Sequence, residues 1–167
     1  RVARGGLGVP EARLGDRDWR SLLDAHEEIA RTEVLAHGGQ IADFTGDGRI
    51  DLVIASDFGT SVTLRNVPDN AGGLRFTNET DRAVITDQNG MGSALLDIDN
   101  DGKLEWFVTS VYDASTPKLG NWGSTGNRLY RNVSSADRIA FSDITSQAGV
   151  RDGNWGWGAC AADFNND

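Results

Sequence analysis

Apolar residues along this chain collect in short dense runs separated by Gly, Asp, Asn and Ser. Ile50-Asp51-Leu52-Val53-Ile54-Ala55 and Leu104-Glu105-Trp106-Phe107-Val108 are rich in β-branched and aromatic residues. Their length, about six residues, predicts strands. The runs are nearly continuous instead of alternating, which predicts burial on both sheet faces. The pattern differs only near the start. From Asp16 to Ala30, Trp19, Leu22, Leu23 and Ile29 recur at helical spacing behind a capping Asp16, predicting one amphipathic helix. No apolar run approaches the ~18 to 20 residues that a membrane-spanning helix needs, so no membrane insertion is expected.

The runs belong to a repeat. Thr63-Leu64-Arg65-Asn66-Val67 returns 66 residues later as Leu129-Tyr130-Arg131-Asn132-Val133. Phe76-Thr77-Asn78-Glu79-Thr80 returns after 65 as Phe141-Ser142-Asp143-Ile144-Thr145. Gly90-Met91-Gly92-Ser93-Ala94-Leu95-Leu96-Asp97 returns after 66 as Gly156-Trp157-Gly158-Ala159-Cys160-Ala161-Ala162-Asp163. The fourth block is acidic and occurs at 43–51 and 97–105, with a third copy over 163–167 that stops with the sequence. The spacing grows from 54 residues (43 to 97) to 66 (97 to 163) through an insertion around Asp113 to Thr125, read as an enlarged surface loop.

Each unit offers about four short strands, and a four-stranded sheet covered on both faces by its neighbours is a propeller blade. The expected fold is therefore all-β: a partial β-propeller of about two and a half blades over 38–167, behind a short N-terminal helical segment over 1–37. The chain begins at Arg1, not Met, and stops inside the third acidic loop. It reads as an open fragment whose partners would include the remaining blades.

The acidic blocks carry the candidate chemistry. Carboxylates at loop positions one, three and five, with Gly at six, direct several oxygens at one point. The second loop supplies Asp97, Asp99, Asp101 and Glu105, with the Lys103 carbonyl at position seven. The first supplies Asp43, Thr45, Asp47 and Asp51, with the Arg49 carbonyl. Each pair of like charges ~5 Å apart costs roughly 3 kcal/mol at an effective dielectric of ~20, so such clusters call for a cation. Oxygen-only donors favour Ca²⁺ over Mg²⁺ or Zn²⁺. Ordinary β-turns would also use Asp, Asn and Gly, but three copies at repeat spacing weigh against them. An EF-hand wants Glu at position twelve, where Ile54 and Val108 stand.

Net charge is −9, with nineteen Asp against six Glu, which suggests carboxylates used in loops. That balance argues against nucleic acid and anionic membranes as partners. The single Cys160 excludes an internal disulfide and reads as a small buried hydrophobe. Neither histidine, His26 or His37, has a catalytic setting, and no nucleophile elbow or phosphate loop occurs, so no enzyme is expected. Trp106, Trp155 and Trp157 read as core residues, and Trp122 in the inserted loop as a possible ligand contact. Asn78-Glu79-Thr80 and Asn132-Val133-Ser134 are glycosylation sequons, meaningful in a eukaryotic secretory host.

Together these blocks resemble the FG-GAP and VCBS repeat families, which include the propellers of integrin α subunits and of bacterial surface proteins. Asn127-Arg-Leu-Tyr-Arg-Asn132, Phe141-Ser-Asp-Ile-Thr145 and Gly156-Trp-Gly-Ala-Cys-Ala-Ala-Asp163 are similar to the cartilage acidic protein-like branch. The resemblance covers 38–167 and implies a secreted, calcium-loaded propeller of about seven blades. It places ligand positions on Asp43, Asp47, Asp51, Asp97, Asp99, Asp101, Glu105, Asp163, Asn165 and Asp167. Thr45 departs from the pattern as a weaker ligand, and Glu105 stands where Asp is commoner. The expected function is an extracellular calcium-binding module for adhesion or for a protein or glycan ligand. The alternative is the propeller portion of a secreted carbohydrate-active enzyme.

Overall fold

The structure is a computed structural model that describes residues 42–69, 73, 75–115 and 123–164. The expected helical segment over 1–37 and most of the inserted loop, Trp122 included, lie outside the described residues, as do His26 and His37. The chain divides into two compact units, Arg1–Ile41 and Ala42–Asp167, and the second holds every described residue.

This unit is nearly all β. Strands β1 (Leu52–Ile54), β2 (Val62–Val67) and β3 (Arg75–Asn78) form one antiparallel sheet in sequence order. Strands β4 (Gly92–Leu96), β5 (Glu105–Thr109), β6 (Arg128–Asn132) and β7 (Phe141–Asp143) form a second, also in sequence order. One helical turn, α1 (Thr145–Ala148), follows. Two successive antiparallel meanders are the connectivity of propeller blades, so the partial β-propeller architecture holds.

The repeat explains why the same elements form twice. Leu52 pairs with Leu64 across β1 and β2, and Trp106 with Tyr130 across β5 and β6. The threonine closing each Phe-x-x-x-Thr block has one task in both units. Thr80 Oγ1 accepts from Thr63 N at 2.9 Å, and Thr145 Oγ1 accepts from Leu129 N at 2.9 Å. Residues Asn78 and Asp143, two places earlier, turn the chain by accepting from the backbone N–H of those same threonines at 3.0 and 2.9 Å. A pair of side chains thus ends the outer strand and satisfies a donor of its neighbour.

Between the sheets lies an aromatic core of Phe44, Ile85, Trp106, Val108, Tyr130, Ile139 and Phe141, with Val53 and Ala55 of the first repeat packed against it. Trp106 and Tyr130 have ring centroids 5.4 Å apart, and Phe44 meets Phe141 edge-on at 5.5 Å. Polar ties cross the same seam. Asn132 Nδ2 donates to the Phe44 carbonyl at 3.2 Å, and Ile139 N donates to Glu79 Oε2 at 2.7 Å.

Burial on both faces holds for β5, where Glu105, Trp106, Val108 and Thr109 are all buried. It fails for β1, whose Leu52 and Ile54 are exposed while Val53 between them faces the shared core. The period of two makes the cause plain: β1 has a described neighbour on one face only.

Candidate metal centre

The two complete acidic loops are wired alike. Asp43 Oδ1 accepts from Gly46 N at 2.8 Å and Asp47 N at 3.2 Å, and its Oδ2 accepts from Gly48 N at 2.8 Å. In the second loop Asp97 Oδ1 accepts from Asp101 N at 3.1 Å and Oδ2 from Gly102 N at 3.0 Å. The fifth position repeats too: Asp47 Oδ1 takes Arg49 N and Asp101 Oδ1 takes Lys103 N, both at 2.9 Å. Two left-handed residues make each loop curl around its first carboxylate. They are Gly46 (φ 73°) and Gly48 (φ 87°) in the first loop, and Asn100 (φ 57°) and Gly102 (φ 84°) in the second. Position six is the glycine seen in the sequence. Motif spacing alone passes over position four, where the sequence signal is Gly46, Asn100 and Asn166, all residue types that tolerate a positive φ.

The ninth position has a structural task of its own. Asp51 is fully buried, with Oδ2 accepting from Phe44 N at 3.1 Å and Oδ1 from Asn66 N at 2.9 Å. Glu105, equally buried, takes Ile98 N on Oε2 at 3.0 Å and Asn132 N on Oε1 at 3.3 Å. In each unit this carboxylate ties the loop's second residue to the asparagine of the Arg-Asn block. Burial pushes both carboxyl groups above the ordinary range, with the neighbouring Asp43 and Asp47, or Asp99 and Asp101, pushing the same way. The backbone N–H bonds oppose the shift.

The loops differ in what they assemble. One oxygen each of Asp97, Asp99 and Glu105 lie within 4.8 Å of one another, and among the described residues this is the one group of three such side chains. Asp101, also expected as a ligand, stands outside it and is exposed. The first loop gathers no such trio. Thr45 replaces the third-position carboxylate and hydrogen-bonds within the loop, to Asp51 Oδ2 at 3.4 Å and Asp43 Oδ1 at 3.5 Å. Asp47 is drawn to the Arg49 side chain at 3.3 Å. In the third copy Asp163 is exposed, and Asn165 and Asp167 lie outside the described residues. The donor set of the second loop is all oxygen and anionic, which fits a hard divalent cation.

The structure departs from the sequence expectation at two tryptophans and the cysteine. Trp106 is fully buried, but Trp155 and Trp157 are 57% and 70% exposed. Cys160, expected inside, is exposed as well. All three belong to the run 153–163, which forms no strand and instead passes β4 closely. A Cβ on Gly92 would fall 2.8 Å from the Ala159 nitrogen, so glycine is required at that crossing. Of the two sequons, Asn78 is exposed. Asn132 is buried with its amide bonded to Phe44, so the folded chain closes that acceptor.

Residues 43–108 match the family model described as FG-GAP-like repeat. The match runs from the first residue of the first acidic loop to β5 and bears out the FG-GAP resemblance over that span. No curated protein and no solved structure matches the chain. The repeat match and the two antiparallel meanders make this a module of the β-propeller type.

Proposed function

We propose that this chain is a calcium-stabilised, non-enzymatic binding module that works outside the cell. The observation that carries the reading is the convergence of Asp97, Asp99 and Glu105 within 4.8 Å. Asp97 and Asp99 would hold the ion, with Glu105 beneath them. Ca²⁺ supplies positive charge to a cluster that otherwise repels itself. Among the described residues no helix is long and apolar enough to cross a membrane.

The residues of the loop then have separable tasks. Asp97 organises the backbone, Asp99 faces outward, and Glu105 anchors the loop to β6. A cation would lock the blade ends that flank the loop, leaving the opposite loops as a rigid surface for a protein or glycan ligand. The exposed Trp155 and Trp157 favour a glycan, because flat apolar rings stack on sugar faces. They also support a second reading, the propeller portion of a secreted carbohydrate-active enzyme. Glycan-array binding by the intact protein without degradation of polysaccharide supports the first, and degradation the second.

Calorimetric titration tests the calcium reading. We expect a dissociation constant of about 10⁻⁴ to 10⁻³ M, with the second loop tighter than the first. At ~1 mM Ca²⁺ and a constant of ~0.1 mM, a site adds roughly 1.4 kcal/mol to stability. A titration whose heat is unaffected by chelator rejects the reading.

The buried carboxylates add a pH dependence. Asp51 and Glu105 have raised folded values, so their charged forms disfavour the native state. Below the unfolded values of 3.8 and 4.5 both states are protonated and the penalty vanishes. As pH climbs through the raised values, stability from these two groups falls. A cation opposes that fall. Removing Ca²⁺ is therefore expected to lower the urea midpoint more at pH 7 than at pH 4. An equal shift at both values would contradict the ligand role of Glu105.

A further inference from the structure

Arg131 on β6 donates through Nη2 to Asp99 Oδ2, pairing with one of the three converging carboxylates. We propose that Arg131 is the internal competitor of the second metal site, a cationic side chain that tunes its affinity by neutralising Asp99. This rests on the calcium reading above. It adds a residue outside the acidic loop, 26 positions beyond Glu105, that no loop motif contains.

The repeat itself supplies the comparison. Arg65 occupies the same place in the first repeat, one residue before the asparagine that binds the ninth-position carboxylate. Arg65 does not turn to its loop. It binds Glu79 Oε1 through Nε at 2.8 Å instead. The difference follows from the third loop position. Thr45 offers no charge there, whereas Asp99 does. The residue aligned with Glu79 in the second unit is Ile144, which offers no competing carboxylate. With its alternative partner absent and an acid added at position three, Arg131 is captured by the carboxylate cluster.

The energetics favour exchange over permanent occlusion. The Arg131 and Asp99 side chains are 45% and 32% exposed, and a pair so hydrated is weak enough for a divalent ion to outcompete. A positive charge within a Debye length of the bound ion nevertheless weakens its binding. Arg131 thus lets the loop stay neutralised at low calcium and sets the concentration at which the ion takes over.

The test compares Arg131→Gln with wild type and Arg131→Lys in the intact protein, stripped with chelator and titrated with CaCl₂ by calorimetry. Arg131→Gln is expected to bind about three- to fivefold tighter at one site, the scale of an exposed ion pair. Arg131→Lys, which keeps the charge, should stay within about twofold of wild type. Thermal melts without calcium report that both variants fold. Unchanged or weaker binding by Arg131→Gln overturns the proposal while leaving the calcium reading intact. Absence of calcium heat from all three proteins overturns both.

Discussion

Replacing Glu105 with alanine is expected to destabilise the fold by about 2 to 4 kcal/mol even when no calcium is present. The carboxylate is fully buried and accepts from Ile98 N and Asn132 N, so truncation leaves two backbone donors without partners. Each orphaned donor costs roughly 1 to 3 kcal/mol, and the void left by the side chain adds to that. Removing a buried negative charge from beside Asp99 and Asp101 offsets part of the loss, which keeps the total below the sum. Asp101→Ala is the control. Asp101 is exposed and its carboxylate accepts from Lys103 N within the loop, so its loss should cost less than ~1 kcal/mol in chelator. Urea melts of both variants with and without Ca²⁺ separate the anchoring role from the ligand role. If the two variants unfold at the same midpoint in chelator, Glu105 is a ligand only and the anchoring argument fails.

That distinction marks where the sequence stops being legible. Residue spacing identified both acidic loops, and the structure gives them matching hydrogen-bond patterns. Spacing also aligned the Arg-Asn and Phe-x-x-x-Thr blocks, which fall on β2 and β6, and on β3 and β7. These succeed because a propeller reuses one backbone path, so recurrence alone reveals it. Spacing points to Asp51 and Glu105 as ligands, because an acid nine residues into such a loop has one obvious use. Their anchoring role depends on Asn66 N and Asn132 N, which approach through strand pairing and leave no mark in local sequence.

The tryptophans and Cys160 show a different limit. In the aligned pairs, Trp157 stands opposite Met91 and Cys160 opposite Ala94, and apolar type within a strand-like block suggested burial. Apolar character gives the preference of a side chain but not whether a neighbour covers it. Trp106 is sealed between the two sheets, while Trp155 and Trp157 lie on a run with no sheet of its own. The split within loop one had a legible cause. Thr45, uncharged at the third position, departs from the motif in the sequence itself, and it is the residue that leaves the first loop without a carboxylate trio.

Tyr130→Phe is expected to destabilise the seam between the two sheets by about 2 to 4 kcal/mol, although it removes one oxygen. The phenol donates to Asp87 Oδ1 at 2.9 Å and accepts from Thr86 N at 3.2 Å and Asp87 N at 3.3 Å. Asp87 is 1% exposed, and its other oxygen is held by Ser61 Oγ at 2.5 Å. Without the hydroxyl, two backbone donors and a buried carboxylate oxygen lose a partner together. The ring itself remains to pack on Trp106, so the loss reports the polar network and not the core. The repeat does not foretell this network, because the matching residue in the first repeat is Leu64. Burial, with Asp87 reinforcing it, pushes the Tyr130 hydroxyl far above its ordinary value, so it stays a donor throughout the working pH range. A double-mutant cycle with Asp87→Asn should then show a coupling of about 1 to 3 kcal/mol. Additive effects in that cycle, or a Tyr130→Phe loss under ~0.5 kcal/mol, would mean that apolar packing alone joins the blades.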